Sequence, residues 1–250
     1  MTIKTFDYSL LDYDIRDDLP QAYREIWVKI ASPGNWWNGS DRVAIAAEVR
    51  KAQHCALCIQ RKAALSPFSV QGNHDTSSNL PPLAVDAIHR IVTDVSRLTE
   101  SWLTDCLKQG LSHEQYIELL GIVVAVISID AFHRAMGIEL EVLPEALPGE
   151  PDHYRPATAV KTDAWVATIA ASAASDDEAD LYGGMKQSVN VLIAMSLVPD
   201  SVRMLLSLSA VQYLDSRDVP NPSKNAGREI SRAQMELLAG RISAMSDCFY

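Results

Sequence analysis

Two cysteine segments carry the residues of this chain best suited to chemistry. The first holds Glu48, His54, Cys55 and Cys58 and includes a complete Cys-x-x-Cys. The second holds Glu236, Ser246, Asp247 and Cys248. Two thiols at this spacing on a helix start can close a disulfide or exchange one with a substrate. The thiolate is the reactive form, and a helix N-terminus favours it by placing free N–H groups and a positive dipole end beside the sulfur. Glu48 lies about two turns before Cys55 on the same helix face if the helix is unbroken. Glu48 and His54 are therefore the nearest groups able to accept a thiol proton.

In the second segment, Ser246-Asp247 is good N-cap material directly before Cys248. It predicts that a helix from residue 233 ends near 245 and that another begins at Cys248. On one continuous helix Glu236 and Cys248 would stand about 18 Å apart, so they share a site only if the chain reverses between them. Placing Cys55 on Cys248 sets Ile45 on Leu238, Ala46 on Ala239 and Val49 on Ile242. The apolar phases agree, as in an internal repeat. In such a repeat position 251 would be the next redox residue.

The elements that position these residues read as helical. The chain has 250 residues, 48% of them apolar, which is enough for a substantial core. Helices are predicted over residues 19–31, from Ser40 to about 65, and after Pro81-Pro82. Ser112 with Gln115, and Ser231 with Gln234, read as capping boxes, and Gly137 reads as the stop of the apolar helix over 114–136. Further helices are predicted near 163–174 and 185–195 and after Pro199. Residues 71–79 and 219–227 are loops by composition. No strand is evident, so the class is all-α. The Pro- and acid-rich stretch 144–156 is the best linker, and it divides the chain into a first half over 1–145, a linker over 146–160 and a second half over 161–250.

The net charge of −10 argues against a nucleic-acid partner, and no basic block points to a membrane surface. The N-terminus lacks the apolar run of a signal peptide, and residues 119–129 are too short a run to span a bilayer. A cytoplasmic setting is expected, where Cys-x-x-Cys is redox-active or metal-binding more often than structural.

With these residues in view, the chain resembles the alkyl hydroperoxidase D and carboxymuconolactone decarboxylase superfamily. That family's redox motif places a Glu before a Cys-x-x-Cys and a His shortly after it. Glu236 and Cys248 stand at the family spacing, and the segment around Glu118, His133 and Gly137 resembles the helix that follows the motif in peroxidase-related members. Cys55 and Cys58 match the family's cysteines, while Val43 and Lys62 stand where its Glu and His would be. The resemblance implies a helical bundle of two related halves and a thiol-dependent peroxidase. Cys58 would attack a hydroperoxide, Cys55 would resolve the sulfenic acid, and a dithiol protein or small thiol would restore the pair. Glu48 and His54 would stand in for the relay, and Glu236 and Cys248 would belong to a second site. Selenocysteine at position 251 is one reading of that second site, because some members of the superfamily resemble selenoproteins there. A homo-oligomer is expected, without metal or cofactor.

Blander readings stand beside these. The cysteines could simply pack inside a non-catalytic oligomeric scaffold, or the chain could be a decarboxylase-like lyase. Zinc would need two more Cys or His ligands at matching spacing. Cys106 reads as a core residue, His89 as structural or partly exposed, Trp36-Trp37 as packing, and Asp130 with His133 as a pair that orients a helix end.

Overall fold

Local capping signals start most of the longer helices. The computed structural model describes residues 6–183, 185, 187–246 and 248. Helix α1 (Asp18–Ala31) buries Tyr23, Ile26, Trp27 and Ile30 at helical spacing. Helix α2 (Gly39–Ala52) opens on Asn38, whose side chain accepts the Asp41 N–H at 2.9 Å. Helix α4 (Pro82–Asp94) starts on a proline, which needs no N–H partner there. Helices α5 (Glu100–Lys108) and α6 (His113–Met136) start on Thr99 and Ser112. The Ser112–Gln115 capping box forms in full, and Gly137 closes α6 in the left-handed region at φ 69°.

The helix expected from Ser40 to about 65 is two helices. α2 stops at Ala52, and an extended Cys55 at φ −69°, ψ 123° starts α3 (Ala56–Ala63). No Gly or Pro lies at the break. Tertiary partners hold it instead: the Asp75 carboxylate accepts the Ala56 N–H at 3.3 Å, and Arg61 ties α3 to Asp86 of α4 at 2.6 Å.

Residues 163–174 form no α-helix. A short antiparallel pair, β1 (Val160–Lys161) with β2 (Ala167–Thr168), is followed by a 3-10 turn. Val166, Ala167 and Ile169 are buried there, and the Ile169 backbone bonds the side chains of Ser196 and Tyr182. Side-chain partners thus satisfy this buried stretch without helical bonds. Of the helix expected near 185–195, α7 (Asn190–Ile193) is what forms among the described residues. Helices α8 (Pro199–Gln212) and α9 (Arg232–Met245) complete the order, with the Ser231–Gln234 capping box formed.

One apolar core draws on residues from Leu19 to Leu208. Within it α6 packs on α8, α2 on α4 and α6, and α1 on α2 and α8. The stretch 144–156 runs without helix or strand, and the N–H groups of Leu147 and His153 bond the carbonyls of Ala31 and Asn35 at 2.8 Å each. The chain on either side of it shares this core. Helix α6 is long and apolar enough to cross a membrane by length and composition, and 67% of its apolar window is buried inside the fold, as in a core helix.

The described residues are mostly helical, as expected. The two segments proposed as repeats differ in burial: Ile45, Ala46 and Val49 are in the core, whereas Leu238 and Ile242 are exposed.

Candidate active site

The α2–α3 break places Cys55 and Cys58 at one helix start, where both side chains are buried. Helix α4 and the loop between α3 and α4 supply their polar surroundings. His89, on the buried face of α4, sets its Nδ1 3.3 Å from Cys58 Sγ. His74, from the loop, sets its Nδ1 3.6 Å from Cys55 Sγ and 3.5 Å from Cys58 Sγ. The four donor atoms lie within 4.8 Å of one another.

Each imidazole is held from behind by a carboxylate. Glu48, on α2, meets His89 Nε2 at 3.0 Å and accepts the Thr76 hydroxyl at 2.6 Å. Asp86, on α4, meets His74 Nε2 at 2.9 Å and also accepts from Arg61 and Arg90. At His89 the Glu48 contact assigns the proton to Nε2, whereas His74 Nε2 lies between the Asp86 carboxylate and the Arg61 guanidinium, 3.2 Å away; both rings turn Nδ1 toward the sulfurs.

The electrostatics follow from burial set against these bonds. Burial pushes the Cys55 thiol up, but the Asp75 and Cys58 backbone N–H groups and the His74 ring outweigh it, leaving the thiol below its ordinary value. Burial disfavours the His74 cation, yet its bonds to Asp86 and to both sulfurs raise it to about 10. For His89 burial prevails over Glu48, so its value falls. Burial also opposes the Glu48 carboxylate, but bonds from Thr76, His89 and Ser78 hold it low. The surroundings thus act on the two rings in opposite senses, favouring the cation of His74 and the neutral form of His89. A surface cleft of about 240 Å³, lined by Gln53, Cys58, Ile59, Lys62, Val92 and Thr93 among others, reaches Cys58 from outside.

The expected residues separate accordingly. Glu48, Cys55 and Cys58 come together. His54 is exposed on the turn ahead of Cys55, so the imidazoles at the thiols are His74 and His89 rather than His54. His89, read from sequence as structural or partly exposed, is fully buried and touches Cys58.

Glu236 is exposed and bonds Tyr213 Oη at 2.5 Å and Arg232. Cys248 is exposed, and its N–H reaches back only to the Ser243 carbonyl at 2.9 Å. Helix α9 runs unbroken from Glu236 to its end at Met245, leaving about two turns from Glu236 to Ser243, so the chain does not reverse ahead of the Ser243 carbonyl to which Cys248 is bonded. The helix expected to begin at Cys248 would run through Phe249 and Tyr250, which lie outside the described residues, as does Asp247 of its N-cap.

Cys106 is a buried core residue. Asp130 takes a two-pronged bond from Arg50 at 2.8 and 2.9 Å, and His133 bonds Tyr8 at 2.7 Å, so these two anchor neighbouring elements separately. No protein-family model, curated protein or solved structure matches the chain.

Proposed function

We propose that this protein reduces hydroperoxides with Cys55 and Cys58, using His89 and Glu48 as the proton relay. The Glu48–His89–Cys58 chain of contacts, at 3.0 and 3.3 Å, carries this reading. A glutamate, a histidine and a dithiol are the groups of the alkyl hydroperoxidase D mechanism, here drawn from α2, α4 and the start of α3. An alkyl hydroperoxidase-like bundle of two related halves is the finer fold reading that goes with it. The sulfurs share one polar cluster instead of occupying separate apolar pockets, which favours redox chemistry over a packing role.

In the proposed cycle, His89 takes the Cys58 proton through Nδ1, and Glu48 stabilises the imidazolium that forms. The Cys58 thiolate attacks the outer peroxide oxygen. The O–O bond breaks, the S–O bond forms, and the alkoxide leaves as an alcohol with the proton from His89. Cys55 then attacks the Cys58 sulfenic acid, forming the disulfide and releasing water. An external dithiol returns two electrons and two protons. The cleft beside Cys58 admits the peroxide, and His74, between both sulfurs, is placed to steady the Cys55 thiolate.

The test is hydroperoxide consumption by the reduced full chain with dithiothreitol as electron donor. Cys58→Ser is expected to abolish turnover. Cys55→Ser should leave a sulfenic acid on Cys58 that dimedone traps. Glu48→Gln should slow the reaction by about 100-fold or more. Turnover that persists in Cys58→Ser, or none in the reduced wild-type protein, overturns the reading.

A further inference from the structure

We infer that Cys55, Cys58, His74 and His89 form a four-ligand site for zinc(II), a property of the site that holds whether or not the thiols turn over peroxide. Zinc bonds of about 2.3 Å to sulfur and 2.0–2.1 Å to nitrogen, arranged as a tetrahedron, place the donor atoms about 3.3–3.8 Å from one another. Three of the four sulfur–nitrogen separations are 3.3, 3.5 and 3.6 Å, and no two of the four donor atoms lie more than 4.8 Å apart. Three of the donor pairs therefore already stand at the separations that a tetrahedral ion imposes.

The ring orientations point the same way. Both histidines turn Nδ1 inward and commit Nε2 to a carboxylate, His89 to Glu48 and His74 to Asp86. Carboxylate–histidine–metal triads are built like this, with the outer carboxylate fixing the tautomer and raising the basicity of the ligating nitrogen. Thiolate with imidazole is also the donor set that zinc prefers among divalent ions.

Charge balances as well. Two thiolates neutralise the ion, while Arg61 and Arg90, both bonded to Asp86, offset the two outer carboxylates. Bound in this way, the ion would pin the start of α3, the loop carrying His74 and the middle of α4 to one point. Three parts of the chain that share no backbone ladder would be clipped together.

The experiment uses the full chain, reduced and freed of metal, titrated with Zn2+ and separately with Co2+. One equivalent of Zn2+ per chain is expected. So is a thiolate-to-cobalt charge-transfer band with the intense visible bands of tetrahedral Co2+. Asp86→Asn, which leaves all four ligands in place, should weaken Zn2+ binding about 10–100-fold, and Cys58→Ser should weaken it further. The cobalt spectrum of the wild-type chain keeps the test decisive if a variant fails to fold. Sub-stoichiometric Zn2+, an octahedral cobalt spectrum, or binding unchanged in a folded Cys58→Ser chain overturns the site. Peroxide consumption measured on the same metal-free sample separates the two readings. Zinc uptake without turnover upholds the site and removes the peroxidase; turnover without zinc uptake does the reverse.

Discussion

Arg42 and Glu118 form an ion pair with both side chains buried, joining α2 to α6. Burial pushes the Glu118 carboxyl up, and Arg42 pulls it part of the way back. The Trp36 N–H adds a bond to the second carboxylate oxygen at 2.6 Å. Arg42→Met would leave this carboxylate buried without its cation, so a loss of about 3–5 kcal/mol is expected in urea unfolding. A loss under about 1 kcal/mol would mean that the carboxyl takes up a proton or reaches water instead. At the same scale, sequence reading found the cysteines and Glu48 because Cys-x-x-Cys is a local pattern and Glu48 lies two turns away. His74 and His89 are not legible as partners of the thiols for a physical reason. One sits in a loop defined by its composition and the other on a helix face that reads as core. Only the fold of α3 back onto α4 shows that both rings aim at the same sulfurs. His54 is adjacent to Cys55 in sequence, but the turn that frees Cys55 to cap α3 carries His54 outward.

Helices α6 and α8 approach closely at Gly121. A Cβ there would lie 2.4 Å from Ser201 Oγ and 3.1 Å from Ser201 Cα, and Ser201 in turn donates to the Ile117 carbonyl at 3.3 Å. Gly121→Ala should therefore force the two helices apart and destabilise the protein by about 1–3 kcal/mol. An unchanged thermal midpoint would show that α8 shifts freely. The helix starts at this level were legible, because each capping box is complete within four residues and needs no tertiary partner. The end of α2 and the extended run around residues 160–170 were not legible, because remote groups set them: Asp75 and Asp86 for the first, Ser196 and Tyr182 for the second.

For the whole molecule, buried tyrosines limit stability at high pH. Burial raises Tyr23 and Tyr116 from the ordinary value of 10 to about 12. Each therefore contributes stability that is fully present below pH 10 and is lost as pH rises toward about 12. Tyr116→Phe removes one of these titrations and should keep circular dichroism native to higher pH than wild type; an identical alkaline midpoint would assign the loss to other groups. The general class, mostly helical, was open to sequence reading because the 3.6-residue apolar period recurs along the chain. The shared core was not, because a proline-rich stretch looks like a linker whether or not the segments it joins pack together. The site and the core also differ in how much chain each must close. Glu48, the thiols and both histidines fall within one short stretch of sequence, whereas the α1–α8 contact joins opposite ends of the core. Closing a short loop loses less entropy and occurs sooner than closing a long one. On a growing chain the sulfurs can meet their imidazoles before α8 has been synthesised, so the two thiols are already sheltered while the rest of the core is still open.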